Sequence, residues 1–304
     1  MGLSQPLVDL ALSLPGLDGA ADALASIVSR AYDALGGARQ PVKDALNGTW
    51  LGHPFHPPST DVPVGAWTVT ALLDLIGDRD GARGALGVGL AATVPTIASG
   101  LTEWLDTYGR PRRLGVVHAG LNVLATSLCA ASYVVRPRAY GTGVALFLAG
   151  YGIVSLSALY GGVLALDLQI GANRAHFAEP ASDEVDAGAF DDIPDGGMRR
   201  VDAGGYPVLL VRDGGEVFAL GAVCAHQSGP LEQGTLDLAG GTVTCPWHGS
   251  RFCLRDGTVE RGPSAYPQPV FRARVADGRV RVTPADPSGL RPTLRRGLRT
   301  RSRC

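Results

Sequence analysis

Between residues 62 and 166 the apolar positions come in long, nearly unbroken runs. Between residues 183 and 283 they come in short runs cut by Gly, Asp and Pro. The first pattern predicts membrane helices and the second a β-domain. Four segments read as spans: VPVGAWTVTALLDLIG (62–77), GALGVGLAATVPTIASGLTEWL (84–105), LGVVHAGLNVLATSLCAASYVV (114–135) and TGVALFLAGYGIVSLSALYGGVLAL (142–166). The last three exceed the ~20 residues needed to cross ~30 Å of hydrocarbon. The first is short and contains Asp74. Small residues such as Gly84, Gly87, Gly89, Ala91 and Ala92 suit close helix–helix approach in lipid.

In the second half, YPVLLVRD, EVFALGAV, GTVTCPW and FRARVADGRVRVT are β-type runs with no helical period. The Asp277-Gly278 pair predicts a tight hairpin turn. The expected fold is therefore an α-helical transmembrane bundle of four spans followed by an all-β domain. The expected division is an N-terminal amphipathic helical segment (1–49), the four-helix membrane domain (50–168), a linker (169–183), the β-domain (184–284) and a basic, disordered tail (285–304).

An even number of spans leaves both termini on one side of the bilayer. That side carries Arg30, Arg39, Lys43, Arg110, Arg112, Arg113 and Arg174, against Arg79, Arg83, Arg136 and Arg138 opposite. The bias favours cytoplasmic termini. Arginines of the tail (Arg291, Arg295, Arg296, Arg299, Arg301, Arg303) agree with it and would suit an anionic inner leaflet. The expected location is the bacterial cell membrane, with the β-domain on the cytoplasmic side.

Charge narrows the partners. Lys and Arg total 27 against 28 Asp and Glu, so nothing favours nucleic acid. The first 30 residues lack the basic start and compact apolar core of a secretory signal. Five cysteines, an odd and scattered set (Cys129, Cys224, Cys245, Cys253, Cys304), do not suggest a disulfide framework. Cys253 is expected to be a small buried apolar residue, and Cys129 and Cys304 receive no role.

Histidines within or beside the spans are the candidates for membrane chemistry. His53 and His56 precede the first span, and His118 and Asn122 lie one helical turn apart in the third. Two of these histidines could ligate a b-type haem. The preferred expectation is structural, with His118 and Asn122 hydrogen-bonded to a neighbouring helix, at Asp74 or Glu103.

The β-domain holds CAHQSGPL (224–231) and CPWHGSRF (245–252). Each loop offers one thiol and one imidazole: Cys224 with His226, and Cys245 with His248. Four such ligands could hold a tetrahedral zinc ion, although zinc fingers usually pair cysteine with cysteine. One Cys and one His per loop suits two irons, with both thiolates on one and both imidazoles on the other.

These residues resemble a Rieske [2Fe–2S] protein over about residues 184–283. The likeness extends to Gly229-Pro230-Leu231, Gly249, Phe252, Gly257 and GPSAYPQP (262–269). The resemblance implies that Cys224 and Cys245 bind the inner iron and His226 and His248 the outer. Residues 50–166, through HPFHP, GLTEWL and HAGLN, also resemble a small bacterial four-helix membrane domain of unknown function.

Departures from the respiratory Rieske branch follow from the same resemblance. Gly229 and Trp247 stand where that branch carries a disulfide, and Phe252 where it carries a tyrosine. Ser250, a possible donor to cluster sulfur, is retained. Fewer hydrogen bonds to sulfur lower the potential, and the missing disulfide suits a reducing compartment.

The chain is not expected to be an oxygenase. It has six histidines and none follows His248, so no mononuclear-iron domain fits. No Gly-x-Gly-x-x-Gly follows a strand, so a nicotinamide or flavin reductase is not expected either. The expected function is a membrane-anchored carrier of single electrons between a separate reductase and an acceptor such as an oxygenase. The alternatives are a membrane redox subunit exchanging electrons with haem or quinol in the bundle, and a redox sensor.

Overall fold

The computed structural model describes residues 4–176, 180, 183–285 and 304. The tail expected over 285–304 lies outside the described residues apart from its two ends. The chain forms two compact units. One holds the helices up to Val42 together with Pro54–Gly171, and the other holds Lys43–His53 with the chain from Ala172 onward.

In the helical unit, α1 (Ser4–Leu12) and α2 (Leu17–Asp33) are followed by the start of α3 (Arg39–Asn47), whose residues from Lys43 onward belong to the second unit. Four longer helices follow: α4 (His56–Ile76), α5 (Arg79–Trp104), α6 (Gly109–Val135) and α7 (Tyr140–Gly162), the last running into a wider turn at Val163–Asp167. Gly77, at φ 81°, closes α4, and the Asp78 carboxylate caps α5 by accepting from Gly81 N–H at 2.9 Å. The pairs α4–α5 and α6–α7 are close hairpins.

The packing of these helices reverses that of a water-soluble bundle. Hydroxyls of Thr70, Thr93, Ser99, Thr102, Ser132 and Ser157 are buried beside Trp67, Leu86 and Phe147. Val69, Leu72, Leu75, Val88, Val94, Val123, Val134 and Leu148 face outward. An amphipathic helix in water does the opposite. Buried hydroxyls are satisfied by the preceding turn, as when Thr70 donates to Ala66 O (2.9 Å) and Thr102 to Ala98 O (2.7 Å). Gly89 lies directly under the Trp67 indole, where a side chain would not fit.

Among the described residues, three helices are long and apolar enough to cross a membrane: Arg79–Trp104, Gly109–Val135 and Tyr140–Asp167. The segment expected as the first span, inside α4, is not among them. A bent pair, Gln5–Leu12 with Leu17–Asp33 at 80°, meets the criterion only when the two are taken together.

Asp74 does not serve His118, as one expectation had it. Its carboxylate accepts a bidentate pair of bonds from Arg136 at 2.6 Å each, and a third from the Tyr140 hydroxyl at 2.6 Å. Arg136 Nε donates to Ser132 Oγ at 3.1 Å. The pair ties the end of α4 to the α6–α7 turn, and both side chains are buried (1% and 7% exposed).

Among its described residues the β unit carries ten strands: β1 (Val185–Ala189), β2 (Met198–Ala203), β3 (Tyr206–Asp213), β4 (Glu216–Gly221), β5 (Thr235–Asp237), β6 (Thr242–Thr244), β7 (Arg251–Cys253), β8 (Val259–Arg261), β9 (Val270–Ala276) and β10 (Arg279–Pro284). The larger sheet runs β1-β10-β9-β4-β3-β2 and the smaller β5-β6-β7-β8. Asp277 and Gly278, both at positive φ (53° and 72°), make the predicted hairpin turn between β9 and β10. The alternate residues Leu209 and Val211 of β3 pack with Leu220, Leu231, Val243 and Phe252, while Val208 and Leu210 face a second core with Tyr206, Phe271, Val280 and Val282.

The cysteines require a correction. Cys253 and Cys304 form a disulfide with their Cα atoms 5.4 Å apart. The two residues are 51 apart in sequence, a pairing that no local pattern reveals. Cys253 is buried as expected but is paired, and the expectation that the scattered cysteines form no disulfide is overturned.

The buried ion pair yields the first prediction. Arg136→Leu leaves a buried carboxylate without its partner and should cost about 3–5 kcal/mol. The double variant Asp74→Leu/Arg136→Leu should recover most of that loss. Unfolding in detergent, followed by circular dichroism, measures both.

Candidate metal centre

The two Cys–His loops have the same backbone plan. The first leaves β4, and the second joins β6 to β7. In each, the cysteine N–H donates to the carbonyl five residues on: Cys224 to Gly229 O (2.9 Å) and Cys245 to Ser250 O (2.8 Å). In each, the cysteine carbonyl accepts from the N–H four residues on, from Ser228 (2.9 Å) and Gly249 (3.2 Å). Those fourth residues both sit at positive φ, 61° and 77°. Glycine adopts this conformation without strain, and Ser228 is held in it by the loop closure.

This plan turns both thiols inward and both imidazoles outward. Cys224 and Cys245 are 1% and 3% exposed within the core of Leu209, Leu220, Leu231 and Phe252, whereas His226 and His248 are half-buried. The two imidazoles stand edge to face with ring centroids 4.9 Å apart. His226 Nδ1 is buried and makes no hydrogen bond. Such an orphan signals a group that the protein expects to meet.

Electrostatics favour bound anionic sulfur. The Cys224 thiol beside it, together with the backbone N–H groups of Trp247 and His248, holds Cys245 down at about 6 against burial. Cys224 is raised, chiefly by the Cys245 sulfur and then by burial, although His226 and Gln227 N–H groups face it too. N–H groups aimed at both sulfurs form a cradle suited to thiolate and sulfide. Burial, then the charges of His248 and Lys43, pushes His226 down to about 3, which keeps its imidazole neutral and able to donate a lone pair.

The four predicted residues are therefore brought together as two pairs. No three His, Cys, Asp or Glu side chains among the described residues converge on one metal-ion position. A two-iron group with ligands split two and two fits this arrangement better than a single tetrahedral zinc.

Further residues, to which the motif gave no role, support the loops. Gln268, fully buried, receives a bond from Ala225 N–H (3.1 Å) and donates to Gly221 O (2.8 Å) and Val223 O (2.5 Å). Ser250 Oγ accepts from Ser264 N–H at 3.0 Å, which pins the 262–269 loop to the second ligand loop. Asp44, distant in sequence, accepts from Gly262 N–H at 2.9 Å. Gly229 has no room for a Cβ, which would strike Cys245 Sγ and then Trp247. The only sequence signal for Gln268 was its place in the Pro-rich segment, and Asp44 had none.

The Rieske [2Fe-2S] domain family matches residues 183–272. The chain is 38% identical over 91 residues to apoptosis-inducing factor 3 of Mus musculus, covering 30% of this chain but 15% of that protein. It is 35% identical over 95 residues to ferredoxin CarAc of Metapseudomonas resinovorans, covering 31% of this chain and 87% of that one. It is 32% identical over 91 residues to the ferredoxin component of biphenyl 2,3-dioxygenase of Rhodococcus jostii strain RHA1, covering 30% and 83%.

Two predictions follow from the geometry. Gln268→Ala leaves three backbone groups of the first loop without their partner and should cost at least about 1–3 kcal/mol, read as a lower melting temperature and a lower iron content per chain. The second concerns acid. An unfolded imidazole takes its proton near 6.5, while folded His226 takes it only near about 3. Between those values the unfolded chain binds more protons, so the cluster-free protein should lose stability as pH falls from about 6.5 toward 3. His226→Asn should flatten that slope in urea titrations.

Proposed function

Starting from the fact that this chain belongs to the Rieske [2Fe–2S] family through residues 183–272, we propose that it is a membrane-anchored carrier of single electrons. Cys224 and Cys245 hold the inner iron, and His226 and His248 hold the outer one. The observation that carries this reading is the pair of loops with one backbone plan, which buries two thiols together and leaves two imidazoles toward the surface. When bound, the cluster takes up and releases one electron without making or breaking a bond to substrate.

The chain's own residues set the conditions for that exchange. The imidazoles of His226 and His248, half-open to solvent, provide the short route out, and Trp247, 56% exposed beside His248, offers an apolar face to a redox partner. Gln268 and Ser250 fix the loops so that little rearranges between the two oxidation states. Two of the relatives are ferredoxins, one of them a dioxygenase component. They support a separate reductase as donor and an oxygenase-type acceptor.

Anchoring is supported by the outward-facing apolar side chains and the three long apolar helices of the other unit. Lipid is the solvent that such a surface fits.

Electron paramagnetic resonance of the dithionite-reduced protein should show a Rieske-type signal. Cys245→Ser or His248→Ala should remove it, while the large sheet stays folded by circular dichroism. A signal of the all-cysteine [2Fe–2S] type, or stoichiometric zinc in place of iron, would falsify the assignment. After cell fractionation the protein should remain with the membranes under carbonate washing and enter detergent; release by carbonate alone would rule out anchoring.

A further inference from the structure

The two long hairpins of the helical unit are copies of one plan. A single offset along the chain carries α4 onto α6: His56 onto His118, Pro63 onto Ala125, Trp67 onto Cys129, Thr70 onto Ser132 and Asp74 onto Arg136. An offset one residue shorter carries α5 onto α7: Ala82 onto Gly143, Leu86 onto Phe147, Gly89 onto Gly150, Thr96 onto Ser157 and Gly100 onto Gly161. Contacts repeat along with positions. Trp67 packs on Gly89, and Cys129 packs on Gly150. His56 Nδ1 lies 3.0 Å from Thr96 O with its ring against Gly100, and His118 Nδ1 lies 3.0 Å from Ser157 O with its ring against Gly161.

Two hairpins related in this way are arranged about a pseudo-two-fold axis along the bundle, as in parallel-repeat membrane folds. Equivalent residues that touch must lie on that axis. Asp74 and Arg136 touch at one end, and Trp67, Cys129, Leu86 and Phe147 share one cluster in the middle. Toward the other end the equivalents are the two histidines, each with its ring against a glycine of the second helix of its own hairpin.

We propose that His56 and His118 are the two axial ligands of one b-type haem lying across this axis. Each imidazole has Nδ1 anchored on a helix carbonyl, the outer contact that fixes ring orientation and leaves Nε2 as the ligating nitrogen. Ser99 Oγ (3.4 Å from His56 Nδ1) and Ser157 Oγ (2.9 Å from His118 Nδ1) add to those anchors. A planar iron macrocycle with one open position on each face matches two equivalent imidazoles, and bundle cores are where such groups sit. Zinc would want four donors, and no third His, Cys, Asp or Glu joins the two among the described residues. His53, the other candidate before α4, belongs to the β unit.

Asn122 lies one turn beyond His118, with Nδ2 3.1 Å from His118 Nε2 and 3.0 Å from His118 O. On iron binding it gives up the first contact and keeps the second. When bound, such a haem would supply one-electron chemistry, exchanging an electron with a redox partner with no bond formed. That step rests on the function proposed above; the haem site itself does not.

The full chain, expressed with a haem precursor and purified in detergent, should carry one haem per chain by pyridine haemochrome assay. Its ferric form should be low-spin, and dithionite should raise sharp α and β bands. His56→Ala and His118→Ala should each abolish the low-spin spectrum, and Asn122→Ala should retain it. His118→Met should keep haem with a displaced α band and a changed potential, which a merely structural histidine would not produce. Wild-type protein with a Rieske signal and no haem would overturn the proposal. So would a haem spectrum indifferent to both alanine variants, or a metal without porphyrin that vanishes in both. Loss of the Rieske signal alone leaves the haem site standing and removes only the function proposed above.

Discussion

The β unit depends on one constraint: two thiols from loops 21 residues apart in ligand position must meet in a dry interior while their imidazoles stay near water. A buried thiolate is costly without hydrogen bonds or a metal. The shared loop plan meets that requirement with backbone alone, since closing each loop on Gly229 O or Ser250 O turns amide N–H groups toward sulfur. The sheets follow from it. β6 and β7 hold the second loop open at its base, and β4 delivers the first over the same core. Gln268, reaching across from the third loop, makes the convergence rigid because all three of its bonds go to backbone of residues 221–225.

The helical unit solves the inverse problem. Its exterior is apolar and its interior holds hydroxyls, glycines, histidines and one ion pair. In water this would be an unstable distribution, whereas in lipid packing must come from close backbone approach and internal hydrogen bonds. Gly89, Gly100, Gly150 and Gly161 provide the approach at four matched points, each under a large or polarisable side chain of the facing helix. Asp74 and Arg136 stand at matched positions of the two hairpins and carry opposite charges, so that where they meet they attract instead of repel.

Several features were legible in the sequence because they depend on local chemistry. Cys-x-His and Cys-x-x-His predicted two loops, Asp277-Gly278 predicted a hairpin, and unbroken apolar runs predicted helices of membrane length. What escaped was set by distant contacts between residues of ordinary type. Asp44 holding Gly262, the Cys253–Cys304 bond and Gln268 on the first loop each join positions that carry no mutual signal along the chain. The reading of α4 failed differently. Its apolar run begins inside a helix that starts at His56 with two prolines, so the helix is longer than the run and less apolar than a span.

The internal repeat escaped for a more instructive reason. Its matched positions are occupied by unlike residues, Trp67 against Cys129, Pro63 against Ala125 and Asp74 against Arg136, so letters compared with letters show little. Burial restores the match, because each position keeps its role at the interface even when its side chain changes. The exceptions are then informative. His56 and His118, like Gly89 with Gly150 and Gly100 with Gly161, kept their identity where Trp67 and Cys129 did not. Packing alone tolerates substitution so long as volume is made up by a neighbour, as the bulk of Trp67 and the smallness of Cys129 show. Two imidazoles and the glycines beneath them are alike in the two hairpins, with both rings fixed on helix carbonyls, a likeness that packing volume alone does not require.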